Sequence, residues 1–174
     1  MKVELGAGST ALDGWVSVDL NPKYADVVAD AFGTLPFADG EVEALRAIDC
    51  LEHGSYRDTD RALAEWARVC APDAPLFVQV PDFGEIVRWY VEEPERLTTP
   101  PDLPQTPLAG AVWRLFGGHA DGQYVTDGDD FRFNAHYAAF THDSLVEALE
   151  RAGFIVDRIV TNPHPNLQAF ARKK

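Results

Sequence analysis

Two glycines and the acids around them are the residues best placed to do chemistry. Val3-Glu4-Leu5 reads as a buried strand running into the turn Gly6-Ala7-Gly8, and Trp15 to Leu20 reads as a second strand carrying Asp19 near its end. Gly6 and Gly8 allow positive φ and bring backbone amides close to a ligand. Taken alone they also suit an ordinary tight turn. A dinucleotide would lay its pyrophosphate on such a turn and on a helix N-terminus, with glycines spaced G-x-G-x-x-G. Here the third glycine is missing, and Glu4 sits two residues before Gly6, where it would repel phosphate. Both facts suit a nucleoside ligand with a cationic end. Asp19 is then placed to accept hydrogen bonds from two ribose hydroxyls.

S-adenosylmethionine is a ligand of that kind, carrying an ammonium and a sulfonium and no phosphate. Composition points the same way. The 174 residues hold 15 Lys and Arg against 28 Asp and Glu, a net charge of −13. An acidic field disfavours nucleic acid, whose phosphates need a basic face, and equally an anionic membrane surface. Hydrophobic content of 46% and charged content of 25% are ordinary for a globular protein, and the length suits one domain spanning residues 1–174. Cys50 and Cys70 fall in apolar segments and behave as small hydrophobes. With no C-x-x-C, no H-x-x-x-H, no paired-carboxylate spacing and no signal peptide, the sequence predicts no metal site and a cytoplasmic protein with reduced thiols.

The elements that would position these residues alternate between strand and helix. Ala25 to Asp30 reads as a third short strand after the turn Asn21-Pro22-Lys23, and Glu43 to Cys50 as a fourth. For Asp30, capping of the next turn and a bond to an adenine amine are both open. The link from Gly8 to Trp15 is short for a parallel crossover, so the first helix is one turn or absent. Leu63, Trp66, Ala67 and Cys70 form one helix stripe, and Leu76 to Val80 is a buried strand ending at Pro81-Asp82. Residues 83–140 break the alternation, with one helix (Ile86 to Val91), a proline-rich run and a Gly/Asp-rich run. Their many aromatics argue against simple disorder and predict a lid. Its stretches 98–105 and 121–130 hold few apolar anchors and are expected to be mobile without ligand. Thr141 reads as an N-cap for a helix ending at Gly153, and Phe154 to Val160 and Leu167 to Ala171 as an antiparallel hairpin.

In this order the motifs resemble the class I S-adenosylmethionine-dependent methyltransferases, in a compact bacterial branch of the type 11 kind. The resemblance rests on Glu4-Leu5-Gly6-Ala7-Gly8, Val18-Asp19-Leu20, Ala29-Asp30 with Leu35-Pro36-Phe37, Leu51-Glu52-His53, Arg68-Val69-Cys70-Ala71-Pro72 and Val80-Pro81-Asp82. It closes with Phe140 to Leu145 and Ala152-Gly153-Phe154. It implies an α/β, Rossmann-like, doubly wound fold: a mostly parallel seven-stranded sheet with a C-terminal antiparallel hairpin and a long insertion after the fifth strand. It also implies S-adenosylmethionine as cofactor, held by Glu4, Gly6, Ala7, Gly8 and Asp19, with Leu20, Asp30, Ala31 and Asp49 beside them. Methyl transfer in this family is an in-line displacement, so the protein mainly aligns the reactants. His53 and His136 are the candidate general bases, because an imidazole titrates near neutrality. Asp82, Trp113, Phe116 and Tyr137 are the candidate contacts to a small-molecule acceptor. The third glycine of the first motif is Thr10 here, and the helix that commonly precedes the first strand is absent. A catalytically inactive cofactor-binding subunit and a dinucleotide-dependent enzyme are the alternatives, and the sequence also allows a homodimer.

Overall fold

The computed structural model describes residues 1–9, 12–99, 101, 104–117 and 135–174. Seven strands form one sheet: β1 (Lys2–Leu5), β2 (Val16–Asp19), β3 (Val27–Val28), β4 (Ala44–Ile48), β5 (Pro75–Pro81), β6 (Phe154–Thr161) and β7 (Asn166–Lys173). Their spatial order is β3-β2-β1-β4-β5-β7-β6. The first five run parallel, while β7 is antiparallel to both of its neighbours. This is the expected Rossmann-like sheet with its C-terminal hairpin. The order reverses between β1 and β4, the place where open α/β sheets collect ligands beyond the carboxyl ends of their strands.

Alternation along the strands decides what faces the helices. Val3 and Leu5, Leu45 and Ala47, and Val78 and Val80 all belong to one buried cluster. Against that face lie α1 (Tyr56–Val69), through Leu63 and Trp66, and α4 (His142–Arg151), through Leu145 and Leu149. Helix α4 begins as its sequence predicts: the Thr141 hydroxyl accepts from the Ser144 amide at 3.3 Å, and the Ser144 hydroxyl accepts from the Thr141 amide at 2.9 Å.

The links 6–15 and 20–26 carry no helix among their described residues. The alternate positions on β1, β4, β5 and β7 are instead covered by side chains lying along the sheet. Glu4 is buried beside Arg46, with 3.0 Å between Oε1 and Nε, and Phe77 packs on Phe170 with centroids 5.0 Å apart.

The insertion after β5 holds two described helices, α2 (Phe83–Glu92) and α3 (Pro107–Phe116), not one. Pro107, at the end of the proline-rich run, sits in the first turn of α3, where its missing N–H costs nothing. Ile86, Trp89, Leu97 and Ala111 form a small core of their own, separate from the main one. The chain then returns from residue 135 across the end of β4, where the Tyr137 and Ala138 amides both donate to the Glu52 carbonyl at 2.8 and 3.1 Å. The expected mobile stretch 121–130 lies outside the described residues, as does part of 98–105. Among the described residues, no helix is long and apolar enough to cross a membrane.

Candidate cofactor site

The carboxyl ends of β1, β2, β3 and β4 open onto a cleft of about 880 Å³, a size that suits a nucleoside with an amino-acid tail. Gly6 and Gly8 form its floor. Gly6 has φ of +62°, and a Cβ there would sit 2.8 Å from the Cys50 sulfur, so both the backbone conformation and the space demand glycine. The Gly8 amide donates to Asp19 Oδ2 at 2.9 Å and the Asn21 amide to Asp19 Oδ1 at 2.8 Å. Each oxygen of that carboxylate keeps a lone pair for a ligand hydroxyl.

Asp30, Ala31 and Phe32 line the next wall, and the Asp30 carboxylate accepts from the Phe32 amide at 2.9 Å, the capping role left open above. Ala31 is held by α1, since the buried Trp66 indole donates to its carbonyl at 2.8 Å. Phe32 packs so tightly on Gly54 that a Cβ on that glycine would lie 2.0 Å from the ring.

Asp49 follows β4 in a left-handed conformation, φ +49°, and takes a 3.0 Å bond from the Gln79 amide group. Solvent reaches it through the cleft, yet the surrounding protein is dense enough that desolvation raises its carboxyl above the usual value, against the Gln79 bond and the His53 charge. Arg61 also faces the cleft, but Asp58 pairs with it at 2.7 Å and cancels its charge. With Asp19, Asp30 and Asp49 lining the walls, the cleft suits a cation and opposes a pyrophosphate.

A family model described as a methyltransferase domain matches residues 8–78, the stretch that supplies most of these walls. Over that stretch the chain is similar to a methyltransferase domain. Solved structures share its fold. A SAM-dependent methyltransferase from Methanosarcina mazei is 16% identical, with 98% of this chain and 91% of that chain covered at a TM-score of 0.62. A chain of the complex between the Haloferax volcanii Trm112 methyltransferase activator and the putative methyltransferase is 14% identical, with coverages of 98% and 80% and a TM-score of 0.61. The Burkholderia thailandensis 1,6-didemethyltoxoflavin-N1-methyltransferase, solved with 1,6-didemethyltoxoflavin and S-adenosylhomocysteine, is 16% identical, with coverages of 99% and 70% and a TM-score of 0.58. No curated protein matches the chain.

The cleft gathers most, not all, of the residues expected from sequence. Gly6, Gly8, Asp19, Leu20, Asp30, Ala31, Asp49, His53 and Tyr137 line it. Glu4 does not: strand alternation turns it to the face away from α1 and α4, where it pairs with Arg46. Ala7 is buried beneath the turn. Asp82 is spent on structure, capping α2 through the Glu85 amide at 3.0 Å and accepting from the Thr161 hydroxyl at 2.7 Å. Trp113 and Phe116 ride on α3 and are not among the residues lining the cleft. Asn21, Tyr24 and Phe32 line it without having been expected.

Beside the cleft, the last turn after β4 meets the return of the insertion. His53 donates from Nδ1 to the Ala135 carbonyl at 3.1 Å, and its ring meets that of His136 edge-on at 4.8 Å between centroids. Burial lowers the His53 pKa, opposed by that bond and by the Asp49 charge, so the ring is neutral at pH 7. Glu52 lies under both histidines, 1% exposed, and burial pushes its carboxyl well above the usual range.

Proposed function

We propose that the protein transfers the methyl group of S-adenosylmethionine to a small-molecule acceptor seated between the cleft and the insertion. The observation that carries this reading is the acid-lined glycine cleft at the carboxyl ends of β1, β2 and β4. Asp19 takes the ribose hydroxyls, and Asp30, Ala31 and Phe32 receive the adenine. Gly6, Gly8 and Asp49 receive the methionine end, with its ammonium and sulfonium, and direct the methyl group toward His53. Residues 83–140 serve as the lid, and Tyr137 forms part of the acceptor wall.

The acceptor's lone pair forms the new bond to the methyl carbon. The carbon–sulfur bond breaks with its electron pair remaining on sulfur, which leaves neutral S-adenosylhomocysteine. The acceptor's proton departs at the end of the cleft where the candidate bases His53 and His136 meet. Alignment of the reactants and exclusion of water supply most of the rate. Two unpaired, buried cysteines suit a reducing cytoplasm.

Incubation with S-adenosylmethionine and fractionated metabolite pools tests the proposal. The expected result is S-adenosylhomocysteine formation that depends on one small-molecule fraction. Tight cofactor binding with no turnover across small-molecule pools would instead identify a cofactor-binding subunit.

A further inference from the structure

We infer that Glu52, His53 and His136 form a binding site for one divalent transition-metal ion beside the methyl-transfer cleft. The inference rests on the methyltransferase reading only for what the ion would do, not for whether it binds.

One ligand atom from each of the three residues lies within 4.8 Å of the others. The gap from His136 Nε2 to Glu52 Oε1 is 4.0 Å, too long for a hydrogen bond. It is of the size that a cation would span, since metal bonds of about 2.1 Å place ligand atoms about 3.3 Å apart in a tetrahedron and about 4.2 Å apart across an octahedron.

An independent observation is the state of Glu52. Its side chain is 1% exposed, and neither carboxylate oxygen has a hydrogen-bond partner among the described residues. A buried carboxyl with no hydrogen-bond partner is costly to keep, and a cation held between it and the two imidazoles would satisfy it. The His53 bond to the Ala135 carbonyl supplies what metal-binding histidines need. It fixes the ring through Nδ1–H and leaves Nε2 with its lone pair. Asp49 adds negative field, bearing electrostatically on both Glu52 and His53.

Two imidazoles and one carboxylate select a borderline ion, zinc, cobalt, iron(II) or manganese, over magnesium or calcium. Three protein ligands leave at least one coordination position open, the arrangement of catalytic rather than structural sites. With the ion bound, the two histidines would serve as ligands instead of bases: the open position would take the acceptor's oxygen, lower its pKa and release its proton to solvent, leaving an oxyanion aimed at the methyl group. The expectation of no metal rests on spacing along the chain, which does not relate His136, on the return of the insertion, to Glu52 and His53.

Titration of chelator-stripped full-length protein with Co2+, in excess Mg2+ to saturate the acidic surface, tests the site. The expected result is one Co2+ per chain with a visible absorption band of a low-coordinate complex, displaced by Zn2+. Glu52→Gln and His136→Ala should each weaken binding about tenfold or more, with an unchanged circular dichroism spectrum confirming that they fold. Absence of a saturable band, or wild-type affinity in both variants, overturns the inference. S-adenosylhomocysteine binding is measured on the same samples: if it persists without metal binding, only this inference fails, and metal binding without it counts against the methyltransferase reading alone.

Discussion

At the scale of single residues, the cleft depends on Asp19 and Gly6. Asp19 was legible because its position at the end of a strand after a glycine turn is set by local chain order alone. Asp19→Ala removes the acceptor of two ribose bonds and should cost roughly 2–4 kcal/mol of S-adenosylhomocysteine affinity, checked by calorimetry. The Gly8 and Asn21 amides also lose their acceptor, but both lie at the cleft, where water can replace it. Gly6→Ala adds left-handed strain of about 1–2 kcal/mol to a contact with the Cys50 thiol. It should lower the urea midpoint and abolish cofactor binding together. Glu4 was misassigned because strand alternation, not nearness in sequence to the glycines, decides which way a side chain points. Glu52 and His136 could not be paired from sequence, since their contact depends on how the insertion returns.

Among the elements, α1 does more than cover the sheet. The Trp66 indole holds the Ala31 carbonyl, and the Arg68 guanidinium donates to the Phe37 and Leu35 carbonyls at 3.0 and 3.2 Å, so α1 fixes the loop that forms the adenine wall. Trp66→Phe keeps an aromatic ring but leaves that carbonyl unpaired. A loss of roughly 1–3 kcal/mol of stability is expected from urea unfolding, with weaker cofactor binding because Ala31 lines the cleft.

The partner of Arg68 on the same helix gives a pH dependence. Hydrogen bonds from Arg68 hold the Glu65 carboxyl below its ordinary value, opposed by desolvation. A depressed carboxylate pKa contributes stability above the unfolded value, and the contribution is lost as pH falls through the folded value. Wild-type protein should therefore lose stability on acidification below about pH 5 more steeply than Glu65→Gln, as read from urea midpoints. The stripe that built α1 was visible because its apolar period is regular. Helix α3 was missed because Pro107 lies in a proline-rich run, and local composition does not distinguish a helix-starting proline from a breaking one.

At the scale of the whole molecule, the alternation of strand and helix was legible from the apolar runs, and the mostly parallel seven-stranded sheet with its C-terminal hairpin followed from the family resemblance. The layer opposite α1 and α4 was not legible, because strand side chains such as Glu4, Arg46, Phe77 and Phe170 lie along the sheet there, where the links are too short to hold helices. The insertion carries its own small core of Ile86, Trp89, Leu97 and Ala111, a weaker anchor than the sheet's. Hydrogen exchange should accordingly be faster in α2 and α3 than in β4 and β5. The return at residues 135–140 should gain protection when S-adenosylhomocysteine binds, and equal protection with and without ligand would make the insertion a fixed layer. The central claim is that the acid-lined cleft holds a cationic nucleoside and rejects a dinucleotide. Calorimetric titration of the full chain with S-adenosylhomocysteine and with NAD in parallel decides it. One S-adenosylhomocysteine per chain and no heat from NAD are expected; binding of NAD with none of S-adenosylhomocysteine would contradict a cleft built for a cationic nucleoside.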